Sequence, residues 1–321
     1  MKKYAMGSIL GALVGDAAGA TLEFMGRKPT PEDADNALKM VGGGVWRVAP
    51  GQITDDGELT LALCHALAGS EHYPVHTAAQ SYRRWMLSNP FDVGNATRAA
   101  LGHVDLNSPT LPDDMAMAAL RANLQSKANG ALMRATPLGV WATRVDLPTA
   151  TEAAKADTCL THPNWSCQWS TAAYVVAIRH LLLQPGDAAG AFEQARAVLQ
   201  EPQAAEVLGW LQDAESESLP PFHPEAGFVR IGFTHAFAHL KRQTPYVEAL
   251  RQTLLGGGDT DTNACIVGGL LGALHGTGGI PPDAQNKVLA CDTSLGRPRP
   301  EWLRASVLPG LVDNLVARES T

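Results

Sequence analysis

The sequence predicts an all-α fold, formed by one domain that spans residues 1–321. Apolar residues recur at spacings of three and four along most of the chain, which is the period of a helix with one buried face. Runs of alternating β-branched residues are scarce, and only 45–48 resembles a strand. Short connections are marked by Pro/Gly pairs, and neither a repeat nor a shift in composition divides the chain. With 45% hydrophobic and 18% charged residues, the chain can bury a large core.

The helical period locates the individual helices along the chain. In 58–69, for example, Leu59, Ala62 and Ala66 fall on one helical face. The stretch 102–113 shows no such period and is expected to form a loop. In chain order, the predicted helices are 4–20, 58–69, 77–88, 114–126, 168–184, 188–199, 203–214, 229–242, 246–255, 263–275 and 283–290.

The first of these helices resembles a secretion signal, because two lysines precede an apolar run. Asp16 interrupts that run, and Gly7, Gly11, Gly15 and Gly19 recur at a spacing of four. This spacing puts the glycines on one helical face, where a partner helix can approach closely. We therefore expect a buried core helix, and the run is too short to span a bilayer.

Charge and cysteine content restrict the partners and the compartment. A formal net charge of −7 argues against nucleic acid, whose phosphates select surfaces rich in lysine and arginine. It argues equally against binding to anionic membranes. The five cysteines include no C-x-x-C pair, and their odd number argues against a disulfide framework. A reducing cytoplasm is the expected location.

Two short acidic clusters, Thr54–Asp56 and Asp259–Thr262, lie far apart in the chain. Each stands just before or at the start of a predicted helix, where threonine and aspartate are also ordinary N-caps. Helix capping accounts for Thr262, but it does not explain the three glycines at 256–258 or the second aspartate of the later cluster. Metal binding is the alternative explanation for both clusters.

Electrostatic repulsion would oppose a meeting of the two clusters unless cations were bound between them. Two carboxylates about 4 Å apart repel by about 4 kcal/mol at an effective dielectric constant of 20, so four convergent carboxylates need cations. Oxygen ligands favour Mg²⁺ or Mn²⁺ over Ca²⁺ and Zn²⁺, and this many ligands could hold two ions roughly 3.5–4 Å apart. An EF-hand is excluded, because Ala264 and Leu270 replace its required glycine and glutamate.

Six stretches of the chain form a specific pattern when they are taken together and in order. They are Gly11–Ala20 with Leu22-Glu23-Phe24, Thr54-Asp55-Asp56, Phe91-Asp92-Val93-Gly94 with Thr97, Asn129-Gly130-Ala131-Leu132-Met133-Arg134, Thr161-His162, and Gly257–Thr262. On the basis of these six stretches, the chain resembles the ADP-ribosylglycohydrolase family, and most closely its bacterial dinitrogenase reductase-activating branch. In two departures, Gly57 stands where that family usually has threonine or serine, and Lys127-Ala128 precede Asn129 where a glycine is common.

The resemblance implies a compact domain of orthogonal helices around a central site for two Mg²⁺ or Mn²⁺ ions. The implied metal ligands are Thr54, Asp55, Asp56, Asp259, Asp261 and Thr262. The implied channel for ADP-ribose is lined by Gly94, Asn129, Gly130, Met133 and His162. The expected catalytic set is Glu23, Asp92, Asp56 and Asp261, with Glu23 and Asp92 flanking the scissile ribose.

Several of these residues also have an ordinary structural explanation. Glu23 could end a helix, Asp92 could belong to a turn, and Asn129-Gly130 is a common turn pair. His162 could cap a helix or form a local hydrogen bond. Only their joint occurrence in the order of the family favours the functional interpretation.

The resemblance also implies a glycosidase that removes ADP-ribose from modified protein side chains. The branch that the chain most resembles makes N-linked ADP-ribosyl-arginine the expected substrate and ADP-ribose the product. Asp92 would protonate or polarise the ribose, and Glu23 would act as a base or support a metal ligand. The alternatives are a hydrolase of another ADP-ribosyl linkage (to serine, to nucleic acid or in a free nucleotide-sugar) and a non-catalytic ADP-ribose-binding relative.

Overall fold

The computed structural model describes residues 1–316, which fold into α-helices joined by short connections. The helices are α1 Lys2–Gly19, α2 Pro31–Ala37, α3 Asp55–Leu67, α4 Val75–Leu87, α5 Asn95–Leu101, α6 Leu111–Asn123, α7 Thr136–Trp141, α8 Leu147–Cys159, α9 Trp165–Leu183, α10 Ala188–Val198, α11 Ala205–Ser216, α12 Val229–Arg242, α13 Tyr246–Gly256, α14 Thr260–His275, α15 Pro282–Leu289 and α16 Leu308–Leu315. Single 3₁₀ turns lie at Ala142–Arg144, Pro202–Ala204, Thr277–Gly279, Glu301–Leu303 and Ala305–Val307. The predicted all-α class is confirmed.

All of the predicted helices are present, with ends displaced by a few residues. The helices that the apolar period did not predict are α2, α5, α7, α8 and α16. Four of them have only six to eight residues, which is too short for a period to be recognised. The longer one, α8, consists largely of alanine, threonine and polar residues and shows little contrast between its faces.

The stretch 45–48, which resembles a strand in sequence, does not form one. It forms a tight loop in which the Val48 N–H donates to the Gly43 carbonyl at 3.0 Å and the Gly43 N–H donates to the Val48 carbonyl at 2.8 Å. Gly44 and Arg47 have positive φ angles of 69° and 55°, which reverse the chain direction. Within residues 1–316, the only β-pairing consists of isolated bridges.

The glycine face of α1 packs against α14, and this is the most extensive helix contact among the described residues. A methyl group added at Gly11 would lie 2.4 Å from the Gly268 carbonyl oxygen, and one at Gly15 would lie 2.1 Å from that of Ala264. The two backbones are therefore in direct contact, as the glycine spacing predicts. Helices from opposite ends of the chain thus form one buried centre.

This contact fixes where the later acidic cluster lies. A methyl group at Gly19, the last residue of α1, would lie 2.3 Å from the Cα of Asp261 in the first turn of α14. The ends of the two helices are also joined by a 2.8 Å hydrogen bond from the Thr260 hydroxyl to the Gly19 carbonyl. None of the helices within residues 1–316 combines the length and the hydropathy that a membrane span requires.

Candidate functional site

Asp16 organises the start of α3, where the first acidic cluster lies. Its buried carboxylate accepts hydrogen bonds from the Thr54 N–H at 2.9 Å, the Thr54 hydroxyl at 2.8 Å and the Gly57 N–H at 2.8 Å. A methyl group at Gly57 would lie 2.6 Å from the same carboxylate. A side chain at position 57, where glycine departs from the family pattern, would therefore crowd both Asp16 and Ile53.

The two acidic clusters meet where the N-termini of α3 and α14 converge. One carboxylate oxygen from each of Asp16, Asp56 and Asp261 can be chosen so that all lie within 4.8 Å of one another. The Thr262 hydroxyl donates to Asp56 Oδ2 at 3.3 Å across the two helices. The structure thus brings together the two groups that the sequence separates.

A second group of carboxylates lies beside the first and shares Asp261 with it. Oxygens of Glu23, Asp92 and Asp261 also lie within 4.8 Å of one another. Glu23 lies just beyond the end of α1, and Asp92 lies in the loop between α4 and α5. The two residues expected to flank the scissile ribose are therefore adjacent to the metal-ligand candidates.

The site is strongly acidic, and burial makes its charge costly. Burial, and then the negative charge of neighbouring carboxylates, raises the pKa of Asp55, Asp56 and Asp261 well above the ordinary value. Burial likewise raises the pKa of Glu23 to about 7 and that of Asp92 to about 6. A divalent cation would offset this repulsion, because it favours the ionised carboxylates.

One buried oxygen tests whether a cation fits this site. Among residues 1–316, Asp56 Oδ1 is buried and has no hydrogen-bond partner. Buried polar atoms are nearly always paired, so an orphaned carboxylate oxygen at the centre of an acidic cluster is typical of a metal ligand. The donor set consists of carboxylate and hydroxyl oxygens, which is the chemistry that Mg²⁺ and Mn²⁺ prefer.

The acidic cluster forms part of the lining of a cavity of about 900 Å³. All the residues predicted to line a channel contribute to it, together with both members of the flanking pair. The lining includes Glu23, Asp55, Asp56, Asp92, Gly94, Asn129, Gly130, Met133, His162, Asp259, Asp261 and Thr262. Of the predicted site residues, only Thr54 is absent from the lining. Its buried hydroxyl forms hydrogen bonds with the carboxylates of Asp16 and Asp56.

The Asn129 loop forms a wall of this cavity and is fixed at both ends. At the start of the loop, the Asn129 backbone N–H donates to the Gly227 carbonyl at 3.1 Å, and the Asn129 side-chain amide donates to Asp259 Oδ2 at 2.7 Å. At the far end, the fully buried Arg134 forms an ion pair with Asp157 at 3.2 Å. Arg134 therefore anchors the loop from within the core, whereas Asn129 orients a metal-ligand candidate.

His162 lines the same part of the cavity as a neutral side chain. Its Nδ1 shares a 2.8 Å hydrogen bond with the Thr161 hydroxyl, and burial lowers its pKa to about 3. A methyl group at Gly130 would lie 2.9 Å from the His162 ring. The ring therefore supports the shape of the cavity and contributes no positive charge to it.

The Gly94 N–H, also predicted to face ADP-ribose, makes a long 3.4 Å contact with Asp55 Oδ2.

Two residues of the site were missed by sequence reasoning about function. Asp16 was recognised as an interruption of an apolar helix and as part of the Gly11–Ala20 stretch, but no role was assigned to it, although a lone charge in such a helix is itself an indication of a buried role. Trp46 lines the cavity and donates its indole N–H to Glu23 Oε2 at 2.7 Å. No local pattern indicated that contact.

The structure defines a helical protein with a carboxylate-lined cavity. Comparison with known proteins identifies the family to which it belongs. The family sequence model described as ADP-ribosylglycohydrolase matches residues 2–320. The chain therefore belongs to the ADP-ribosylglycohydrolase family, which confirms the resemblance and makes the protein an enzyme of the glycosidase type.

Individual relatives agree with this assignment. The chain is 31% identical over 282 residues to the ADP-ribosyl-[dinitrogen reductase] glycohydrolase of Rhodospirillum rubrum, covering 86% of this chain and 87% of that protein. It is 26% identical over 292 residues to the ADP-ribosylarginine hydrolase Tri1 of Pseudomonas putida, covering 88% and 74%. A solved structure titled as an ADP-ribosylglycohydrolase-related protein complex shares the fold, with a TM-score of 0.73, 24% identity and coverage of 98% and 97%.

Proposed function

We propose that the protein is a metal-dependent hydrolase that removes ADP-ribose from modified protein side chains, with N-linked ADP-ribosyl-arginine as its substrate. The observation that carries this proposal is the meeting of the two acidic clusters in one cavity. The name of the P. putida relative, an ADP-ribosylarginine hydrolase, supports the arginine linkage, and that of the R. rubrum relative supports a protein substrate. ADP-ribose would be the product.

The metal centre would hold two Mg²⁺ or Mn²⁺ ions. Its ligands would be Thr54, Asp55, Asp56, Asp259, Asp261 and Thr262. When bound, such ions supply positive charge that orients the hydroxyl groups of a ribose and offsets negative charge in the site. Asp16 would hold the α3 ligands in place through its bonds to Thr54 and Gly57, and Asn129 would do the same for Asp259.

Glu23 and Asp92 would act on the glycosidic bond itself. Both line the cavity, and both approach the metal-ligand candidates without belonging to either cluster. Asp92 would protonate or polarise the ribose or its leaving group, while Glu23 would serve as the base that accepts a proton from water. The indole of Trp46 would hold Glu23 in position through its 2.7 Å hydrogen bond.

The rest of the cavity would accept the diphosphate and the remaining ribose. Gly94 and Gly130 offer backbone close to a ligand, while Asn129, Met133 and His162 shape the wall. The cavity volume of about 900 Å³ lies within the range of pockets that bind small molecules and cofactors.

The setting of this activity would be a single domain over residues 1–321 acting in the cytoplasm on a protein substrate. The five cysteines are all unpaired, which agrees with a reducing compartment. The net charge of −7 argues against nucleic acid as the carrier of the ADP-ribose.

The test is a comparison of linkages under one set of conditions. Purified protein with Mg²⁺ or Mn²⁺ is given peptides modified on arginine, peptides modified on serine, and ADP-ribosylated DNA, and released ADP-ribose is measured by chromatography. We expect release from the arginine-linked peptide that stops on addition of EDTA. Release from serine or DNA alone would overturn the linkage, and binding of ADP-ribose without any release would overturn the catalytic role.

A further inference from the structure

Three aromatic side chains form a row at the mouth of the cavity, and we call them the aromatic rim: Phe24, Trp46 and Phe91. The ring centroids of Phe24 and Trp46 are 6.1 Å apart, and those of Trp46 and Phe91 are 5.9 Å apart. Phe24 and Trp46 belong to the cavity lining. None of the activities assigned above to single residues accounts for three adjacent rings at this place.

Phe24 is held in an exposed position by its own backbone. Its side chain is 65% exposed, the highest exposure among the large hydrophobic residues of the described chain. Its φ angle is 54°, a left-handed conformation that phenylalanine adopts only when the surrounding structure imposes it. Phe24 directly follows Glu23, so this conformation presents an aromatic ring beside the carboxylate pair. An exposed aromatic ring beside two carboxylates makes Phe24 a candidate for contact with a ligand.

The chemistry around the rim favours a planar cation. Glu23 and Asp92 supply negative charge next to the rings, and Trp46 contacts Glu23 directly. One ring of the row already binds a cation of this shape, because the guanidinium of Arg297 lies 5.1 Å from the centroid of Phe91. Aromatic faces beside carboxylates are the surroundings in which a guanidinium is bound both by charge and by stacking.

We propose that the aromatic rim, and Phe24 in particular, binds the guanidinium of the arginine that leaves the ADP-ribose, and thereby selects the arginine linkage over the serine linkage. The inference rests on the proposed function, and it adds the residue that determines specificity. ADP-ribose itself carries no guanidinium, so binding of the product does not use Phe24. A hydroxyl leaving group, as in the serine linkage, gains nothing from the ring.

Two variants of Phe24 and one matched control test this inference. Phe24→Ala removes the ring, and Phe24→Leu keeps an apolar side chain without an aromatic face. Trp165→Ala removes another exposed aromatic side chain, 52% exposed, which lies outside the cavity lining. The readouts are kcat/KM on the arginine-linked peptide, the Kd of ADP-ribose, and the affinity for methylguanidinium followed by the NMR signal of the Trp46 indole N–H.

We expect both Phe24 variants to weaken methylguanidinium binding and to lower kcat/KM on the arginine-linked peptide by about two- to fivefold, the range for a cation–π contact at an exposed site. The Kd of ADP-ribose stays constant in both, and the Trp165 variant matches the wild type throughout. Full retention of methylguanidinium affinity in Phe24→Leu would overturn the inference. So would an equal loss of affinity for ADP-ribose.

The methylguanidinium titration separates this inference from the proposed function. If the wild-type protein cleaves no arginine-linked peptide, the proposed function fails whatever the titration shows. In that case, methylguanidinium binding that is weaker in Phe24→Leu than in the wild type would still support a guanidinium site at the rim. Absence of any methylguanidinium binding to the wild type would overturn the rim proposal alone.

Discussion

Replacing Gly15 by alanine would place a methyl group against the backbone of α14, at the contact on which the site depends. The new Cβ would lie 2.1 Å from the Ala264 carbonyl oxygen, 2.5 Å from its carbonyl carbon and 2.9 Å from the Cys265 nitrogen. These are backbone atoms, so no side-chain rotation relieves the overlap. Restoring an ordinary separation of 3.4 Å requires the two helices to move apart locally by about 1.3 Å.

The energetic effect of this substitution is the balance of two opposing contributions. Alanine is a better helix former than glycine by about 1 kcal/mol. Overpacking a rigid contact costs about 1–3 kcal/mol, and a clash with backbone belongs at the upper end of that range. The net expectation is a loss of about 2 kcal/mol in the free energy of unfolding. Because Asp16 is adjacent to Gly15, the same movement should lower kcat/KM by about 10²-fold, as a 1 Å misplacement of a site does.

Urea denaturation and a single-substrate rate assay measure both effects, and Gly209→Ala is the matched control. Gly209 lies inside α11, and a methyl group there meets no atom within 4 Å. This control should gain up to about 1 kcal/mol and keep its activity. If Gly15→Ala were as stable and as active as Gly209→Ala, then direct backbone contact between α1 and α14 would not be what positions the site.

Three further predictions concern the site. Asp261→Asn keeps the size of the side chain but removes its charge, so calorimetry should show Mn²⁺ affinity reduced by at least about 10²-fold, with activity lost in parallel; wild-type affinity would remove Asp261 from the metal centre. Asp92→Asn should retain Mn²⁺ and ADP-ribose binding and lower kcat by about 10²–10⁴-fold, as expected for a general acid; a change confined to thermal stability would make Asp92 structural. The third prediction concerns pH. Burial raises the pKa of Asp16 and of Glu23 from ordinary values of 3.8 and 4.5 to about 7, so these two carboxyl groups bind a proton more strongly in the folded state than in the unfolded chain. Their contribution to the free energy of unfolding is therefore fully present below pH about 4 and is lost as pH rises through about 7. In EDTA the protein should be less stable to urea at pH 8 than at pH 5, and Mg²⁺ should reverse that trend; stability that rises with pH in EDTA would contradict it.

Local patterns predicted much of the fold and most of the candidate site. The spacing of the α1 glycines predicted a close helix partner, and the paired aspartates at the starts of α3 and α14 predicted a cation site. The packing of α1 on α14 confirms the first prediction, and the meeting of the two clusters supports the second, which stays a prediction. Both could be made because they depend on residues near one another in sequence, where helical period and capping rules apply.

Contacts between distant segments could not be predicted from such local patterns. Arg299 illustrates this limit: its guanidinium bonds to both oxygens of Glu58 at 2.7 and 2.8 Å and to the carbonyls of Ser88 and Asn89 at 2.9 and 3.1 Å. It therefore holds the segment that leads to Asp92 against α3. No periodicity or motif relates Arg299 to Glu58, and the same is true of Trp46 and Glu23.

If carboxylates from α3 and α14 share bound divalent cations, as we propose, then the position of a bound metal ion reveals it. Anomalous X-ray scattering from crystals grown with Mn²⁺ provides that position directly, because manganese is located without reference to any assumed ligand. We predict strong anomalous peaks within coordination distance of both Asp56 and Asp261. Manganese peaks that lie elsewhere, or a cavity with no peak at saturating Mn²⁺, would contradict the proposed metal centre.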